Sequence, residues 1–153
     1  AYLGYYICAI NTKTMESRNN QSVRKMRKND VTKVFFETMK KVRKENPLAT
    51  QNDVIEKAVR SEAPRFYVTF ENARRYISLM ARKKHIPIVN KNKMEMYKEI
   101  YRRYLKRIQD TSNQYRFVIL ERIIEEPAPS FYLDEETFKG IVYRTLRERK
   151  AIA

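Results

Sequence analysis

Two short stretches decide how this chain folds: Ala63-Pro64-Arg65-Phe66-Tyr67-Val68 and Ala128-Pro129-Ser130-Phe131-Tyr132-Leu133. They stand 65 residues apart and share the pattern Ala-Pro-x-Phe-Tyr. The same offset carries Thr69 onto Asp134, Glu71 onto Glu136 and Arg82 onto Arg147. It also carries Val54, Ile55, Ala58 and Val59 onto Ile119, Leu120, Ile123 and Ile124. A proline-bearing aromatic motif that recurs with matched flanks reads as a tandem duplication of residues 31–84 and 96–149.

Helical periodicity surrounds each motif. Val31, Val34, Phe35, Met39 and Val42 recur at spacings of three and four up to Asn46-Pro47, which predicts an amphipathic helix that stops there. Thr50, with Asp53 three residues on, predicts an N-cap for a helix that buries Val54, Ile55, Ala58 and Val59. Thr69 predicts the cap of a third helix, with Phe70, Ala73, Ile77, Met80 and Ala81 inward, running to about Lys84. The order then repeats. Met96, Tyr97, Ile100, Tyr101, Tyr104, Leu105 and Ile108 form one stripe, Thr111-Ser112-Asn113 forms a cap region, and Ile119 to Ile124 follow. Asp134 predicts the cap of a last helix lined by Phe138, Ile141, Val142, Thr145 and Leu146. The expected fold is therefore all-α: two tandem three-helix units, residues 31–92 and 93–153, behind an N-terminal extension and flexible basic arm, residues 1–30. Residues 11–30 are read as mobile because polar and basic residues there outnumber apolar anchors. Residues 1–14 are either an extension upstream of Met15 or a short strand or arm on the core.

Composition limits what such a fold can do. Two glycines in 153 residues leave little of the permissive backbone that phosphate-cradling loops, sandwiches and barrels need. Cys8 and His85, single representatives of their types, cannot make a disulfide or a zinc site. No apolar run approaches the roughly 20 residues of a membrane span. No Walker loop, dinucleotide fingerprint, paired-histidine motif or nucleophile elbow occurs, and Asp53 with Glu56 is an ordinary helical pair. The expectation is a protein that is not an enzyme and needs no cofactor or metal, in a cytoplasmic setting, nucleoid-associated for a bacterial or phage chain.

The formal charge is +15, from 33 basic and 18 acidic residues. A field of that size repels itself and calls for a polyanionic partner, with nucleic acid the first candidate. The charge is uneven: net +4 over residues 1–30, +8 over 31–92 and +3 over 93–153.

Each unit, three helices with a connection before the last, resembles the tri-helical helix-turn-helix class, homeodomain-like or Myb-like. It departs from that class in the length of segment 61–68, which exceeds the usual turn, and Phe and Tyr of the motif are expected to plug the core. The resemblance implies a third helix in the major groove of duplex DNA. On that reading Asn72, Arg75 and Ser78 meet base edges, and Arg82, Lys83 and Lys84 meet phosphates. Arg24, Lys25, Arg27 and Lys28 of the arm follow the DNA backbone. Lys139, Tyr143, Arg144, Arg147 and Lys150 are the counterparts in the second unit. The plainer reading of these groups is a solvated basic face.

The expected function is non-catalytic binding of duplex DNA, as a regulator or accessory protein of a phage or mobile element. RNA binding is the alternative, as is an adaptor or structural role with an acidic protein partner. The acidic run Glu121, Glu125, Glu126, Asp134, Glu135 and Glu136 repels phosphate and suits a protein contact by the second unit.

Overall fold

A computed structural model describes residues 2–109 and 115–153, with side chains from residue 20 onward. Among the described residues there are six helices and no strands: α1 (Tyr2–Glu45), α2 (Gln51–Val59), α3 (Phe70–Ala81), α4 (Lys91–Ile108), α5 (Arg116–Glu125) and α6 (Glu135–Ile152).

Residues 20–30 are not a mobile arm. They belong to α1, which runs without proline from Tyr2 to Glu45. Val23, Met26, Arg27 and Asp30 are half-buried along one face, and Val31, Phe35 and Val42 continue that face into the core. Their spacing of three and four lets α1 dock from Val23 onward, an anchoring that the polar composition of 20–30 conceals. The opening residues 2–14 are helical too, and no strand forms there. Their side chains lie outside the described residues, as does the Thr111-Ser112-Asn113 cap region.

Helix ends follow local chemistry. The Asn46 amide closes the last turn of α1 on the Val42 carbonyl at 2.8 Å, and Asn46 Oδ1 accepts from the Leu48 amide at 3.1 Å across Pro47. Thr50 and Asp53 form a reciprocal capping box: the Asp53 amide donates to Thr50 Oγ1 at 3.3 Å, and the Thr50 amide to Asp53 Oδ2 at 2.8 Å. Thr69 Oγ1 accepts from the Asn72 amide at 3.2 Å, and Asp134 Oδ1 from the Thr137 amide at 2.6 Å. Asn90 caps α4 at 3.0 Å to the Lys93 amide, starting that helix a turn before its apolar stripe. At the far end of α3, Lys83 adopts φ 51°, and the amides of Lys83 and Lys84 donate to Met80 and Leu79 carbonyls. This is the Schellman closure, with lysine where glycine is usual.

The helices do not group in chain order. α1, α2 and α6 pack on one another, and α3 packs on α4 and α5. Across the expected boundary between residues 31–92 and 93–153, α3 packs on α4 and α5, and α6 packs on α1 and α2. The adjacent α2–α3 pair of a helix-turn-helix does not form either, since segment 61–68 carries α3 away from α2. Ala63 and Ala128 make an antiparallel bridge where the two connections cross. Next to it, the Phe66 amide donates to the Ile124 carbonyl at 3.0 Å. Phe66 stacks on Tyr132 at 6.2 Å between centroids and Tyr67 on Phe131 at 5.9 Å, two contacts equivalent under the 65-residue offset. Phe66 and Phe131 are buried, as expected of core plugs, but they plug the seam between halves.

Candidate nucleic-acid interface

Ala73 and Ile77, buried on one face of α3, set the outlook of its other side chains. At 100° per residue, Glu71, Arg74, Arg75 and Arg82 emerge exposed, with Asn72 and Ser78 half-buried beside them. Asn72, Arg75, Ser78 and Arg82 line one open groove of about 1080 Å³. Four of the residues expected to read nucleic acid are thus brought together. Arg82 leans back along its helix, donating through Nη2 to Ser78 Oγ at 2.7 Å and through Nε to the Ser78 carbonyl at 3.3 Å. Arg75 lies over the Tyr76 ring at 5.5 Å, and Tyr76 packs on Tyr97 at 4.5 Å, so the stem of Arg75 is held by the core beneath it. Lys83 and Lys84 are exposed just beyond the helix end and are not part of the groove wall.

The opposite wall holds residues that the sequence reading omitted: Arg116 and Phe117 from α5, Tyr104 from α4, and His85 from the segment after α3. Arg74 also joins the groove, its guanidinium 5.9 Å from the Phe117 ring centre and 3.4 Å from Glu71. Periodicity alone did not single out Arg74, which lies on the flank of α3 about 100° round from Ala73, on the side where Phe117 stands. Nor were Arg116 and Phe117 legible, because they meet α3 only through the tertiary packing of α5 on α3, which periodicity does not report. Phe117 is 54% exposed, a large ring left to solvent among cations.

A second cationic cluster joins two sets of expected site residues far apart in sequence. Arg24, Arg27 and Lys28 of α1 and Arg144 of α6 line one pocket with Ile141 and Glu148. Lys28 is ion-paired with Glu148. Burial, with Arg24 and then Arg144 adding repulsion, holds the Arg27 guanidinium below its ordinary pKa, against the opposing pull of Tyr67. The remaining expected residues are dispersed. Lys25, Arg147 and Lys150 are exposed, outside this pocket. Lys139 sits 5.9 Å over the Tyr143 ring, and the Tyr143 hydroxyl donates to Gln51 Oε1, tying α6 to α2.

The acidic residues expected to meet a protein are partly engaged within the chain. Glu126 accepts from Arg103 and Arg107, and Asp134 is occupied as a cap. Glu135 and Glu136 remain exposed in the first turn of α6, where the helix dipole favours them. Among the described residues no group of three or more His, Cys, Asp or Glu side chains could hold a metal ion. No helix among them is long and apolar enough to cross a membrane. No protein-family model, curated protein or solved structure matches the chain.

Proposed function

We propose that the chain binds nucleic acid without catalysis, through the groove built on α3. The observation that carries this reading is the convergence of Asn72, Arg75, Ser78 and Arg82 with Arg74, His85 and Arg116 in one open groove on a chain of net charge +15. Guanidinium groups there can displace counterions from phosphates and present paired donors to a guanine edge, while Asn72 suits an adenine edge. Duplex DNA is the ligand on this reading. A second reading, single-stranded nucleic acid or an RNA loop, is favoured by exposed Phe117 in the same groove, because an unstacked base can lie on its ring between arginines. We also read the two halves as copies of one three-helix unit that have exchanged third helices, supported by the 65-residue offset and the equivalent aromatic contacts.

The test titrates duplex DNA, structured RNA and single strands at two salt concentrations. Affinity must fall steeply with salt, by a slope near 0.9 per phosphate contacted on a duplex. Arg75→Glu with Arg82→Glu must weaken binding about tenfold or more, and Phe117→Ala must weaken single strands more than duplex. Salt-independent binding, or unchanged affinity in the double charge reversal, rules the α3 groove out.

A further inference from the structure

We infer that the crossing of α1 and α6 holds a binding site for a phosphate-class oxyanion, formed by Arg24, Arg27, Lys28 and Arg144. These four cations line one pocket of about 340 Å³ with a single acid, Glu148, among them. Glu148 is already engaged by Lys28. Arg24 and Arg27 consequently have no carboxylate partner among the described residues, and Arg144 spends only its Nε, on the Gly140 carbonyl at 3.1 Å. Arg27 Nε is buried without a hydrogen-bond acceptor. A buried donor without a protein acceptor is rare in a folded chain, and one set amid converging cations is suited to receive an oxygen of an anion.

The arrangement is built by the fold and not by a run of basic sequence. Arg24, Arg27 and Lys28 share one face of α1 at spacings of three and four, and Ile141, Arg144 and Glu148 share one face of α6. Docking of the two helices brings like charges together, against the ordinary tendency of surface cations to disperse. Ile141 forms an apolar wall, which strengthens any charge-assisted hydrogen bond made beside it. Guanidinium forks arriving from two helices suit the several oxygens of a tetrahedral anion better than the two of a planar carboxylate. The lowered pKa of Arg27 points the same way, since an anion seated there would offset the repulsion from Arg24 and Arg144.

The pocket lies on helices other than α3, so it stands whether or not the α3 groove binds nucleic acid. The oxyanion has two sources, a free phosphate or phosphomonoester and a phosphodiester of a nucleic-acid backbone. Melting temperatures in sodium phosphate and in sodium chloride of equal ionic strength and pH decide whether the site exists. Phosphate at ten times its Kd must raise the wild-type melting temperature by about 3–6 °C beyond chloride. That increment must vanish in Arg27→Gln with Arg144→Gln, and shrink in Arg24→Gln, an exposed substitution that spares the packing. Persistence of the full increment in both variants, or its absence in the wild type, overturns the proposal. Arg75→Glu with Arg82→Glu must keep the increment, which separates this site from the α3 groove. A 20-base-pair duplex titrated against the same Gln variants assigns the source. Loss of affinity in step with loss of the phosphate increment identifies a backbone phosphodiester, and unchanged duplex affinity identifies a free phosphate or monoester.

Discussion

Ala63 and Ala128 face each other backbone to backbone, each amide donating to the other's carbonyl at 2.9 Å. Each is the first residue of its Ala-Pro-x-Phe-Tyr motif, so the pair joins equivalent positions of the two halves. Both are 1% exposed, which explains why alanine stands at each: the crossing connections leave no room for more. Ala63→Leu and Ala128→Leu should each lower stability by about 1–3 kcal/mol through overpacking. Urea denaturation followed by helical circular dichroism measures the loss. A neutral result at both positions would show that the seam is looser than its burial indicates.

Lys83 holds φ 51° at the close of α3, a conformation that costs an ordinary L-residue roughly 1 kcal/mol. Its side chain is exposed, so little packing is lost on truncation. Lys83→Gly should therefore raise stability by about 0.5–1 kcal/mol, and Lys83→Val should lower it. The two variants compared in one thermal melt give opposite signs.

Tyr67 and Tyr132 occupy equivalent positions but differ in their hydroxyl partners. Tyr67 donates to Asp30 Oδ2 at 2.7 Å, and burial followed by that bond pushes its pKa upward. The Tyr132 hydroxyl has no hydrogen-bond partner among the described residues, although its ring stacks on Phe66. Tyr67→Phe should cost about 1 kcal/mol, while Tyr132→Phe should change stability by less than about 0.5 kcal/mol. Equal costs would mean that the hydroxyls play no part in the difference between halves.

Glu99 couples stability to pH. Hydrogen bonds from Arg102 and then Arg103 hold its carboxyl at about 2, below the ordinary 4.5. A depressed native pKa gives a contribution that is complete above the unfolded value and disappears as pH falls toward the native one. The stability difference between wild type and Glu99→Gln should thus be constant above about pH 4.5 and diminish from there to about pH 2. Denaturation at a series of pH values measures it, and a difference that grows on acidification contradicts the pairing.

What the sequence revealed and what it hid divide by range. Thr50, Thr69 and Asp134 were readable as caps because each hydrogen bond spans three residues and needs no tertiary partner. The buried faces of α2, α3 and α6 were readable from periodicity, apart from Ala81, which is exposed. Residues 20–30 were misjudged because charged side chains masked Val23 and Met26, whose spacing carries the stripe of Val31 back along α1. The grouping of helices could not be read at all. α3 and α6 present similar apolar faces, and either could cover α1–α2 or α4–α5. Only the length and path of segments 61–68 and 126–134 decide between them. For the same reason Arg75 was recognisable as outward-facing, while its neighbours across the groove, Arg116 and Phe117, were not.

The packing of α6 on α1 and α2 also sets a timetable for synthesis. Val31, Phe35, Val54 and Ile55 leave the ribosome long before Phe138 and Ile141 of α6, the helix against which their own helices pack. At about 5–20 residues per second, the 75 residues between α2 and α6 take roughly 4–15 s to make. Throughout that interval α1 and α2 carry apolar surface that α6 has yet to cover, the kind of surface that exposes a nascent chain to aggregation.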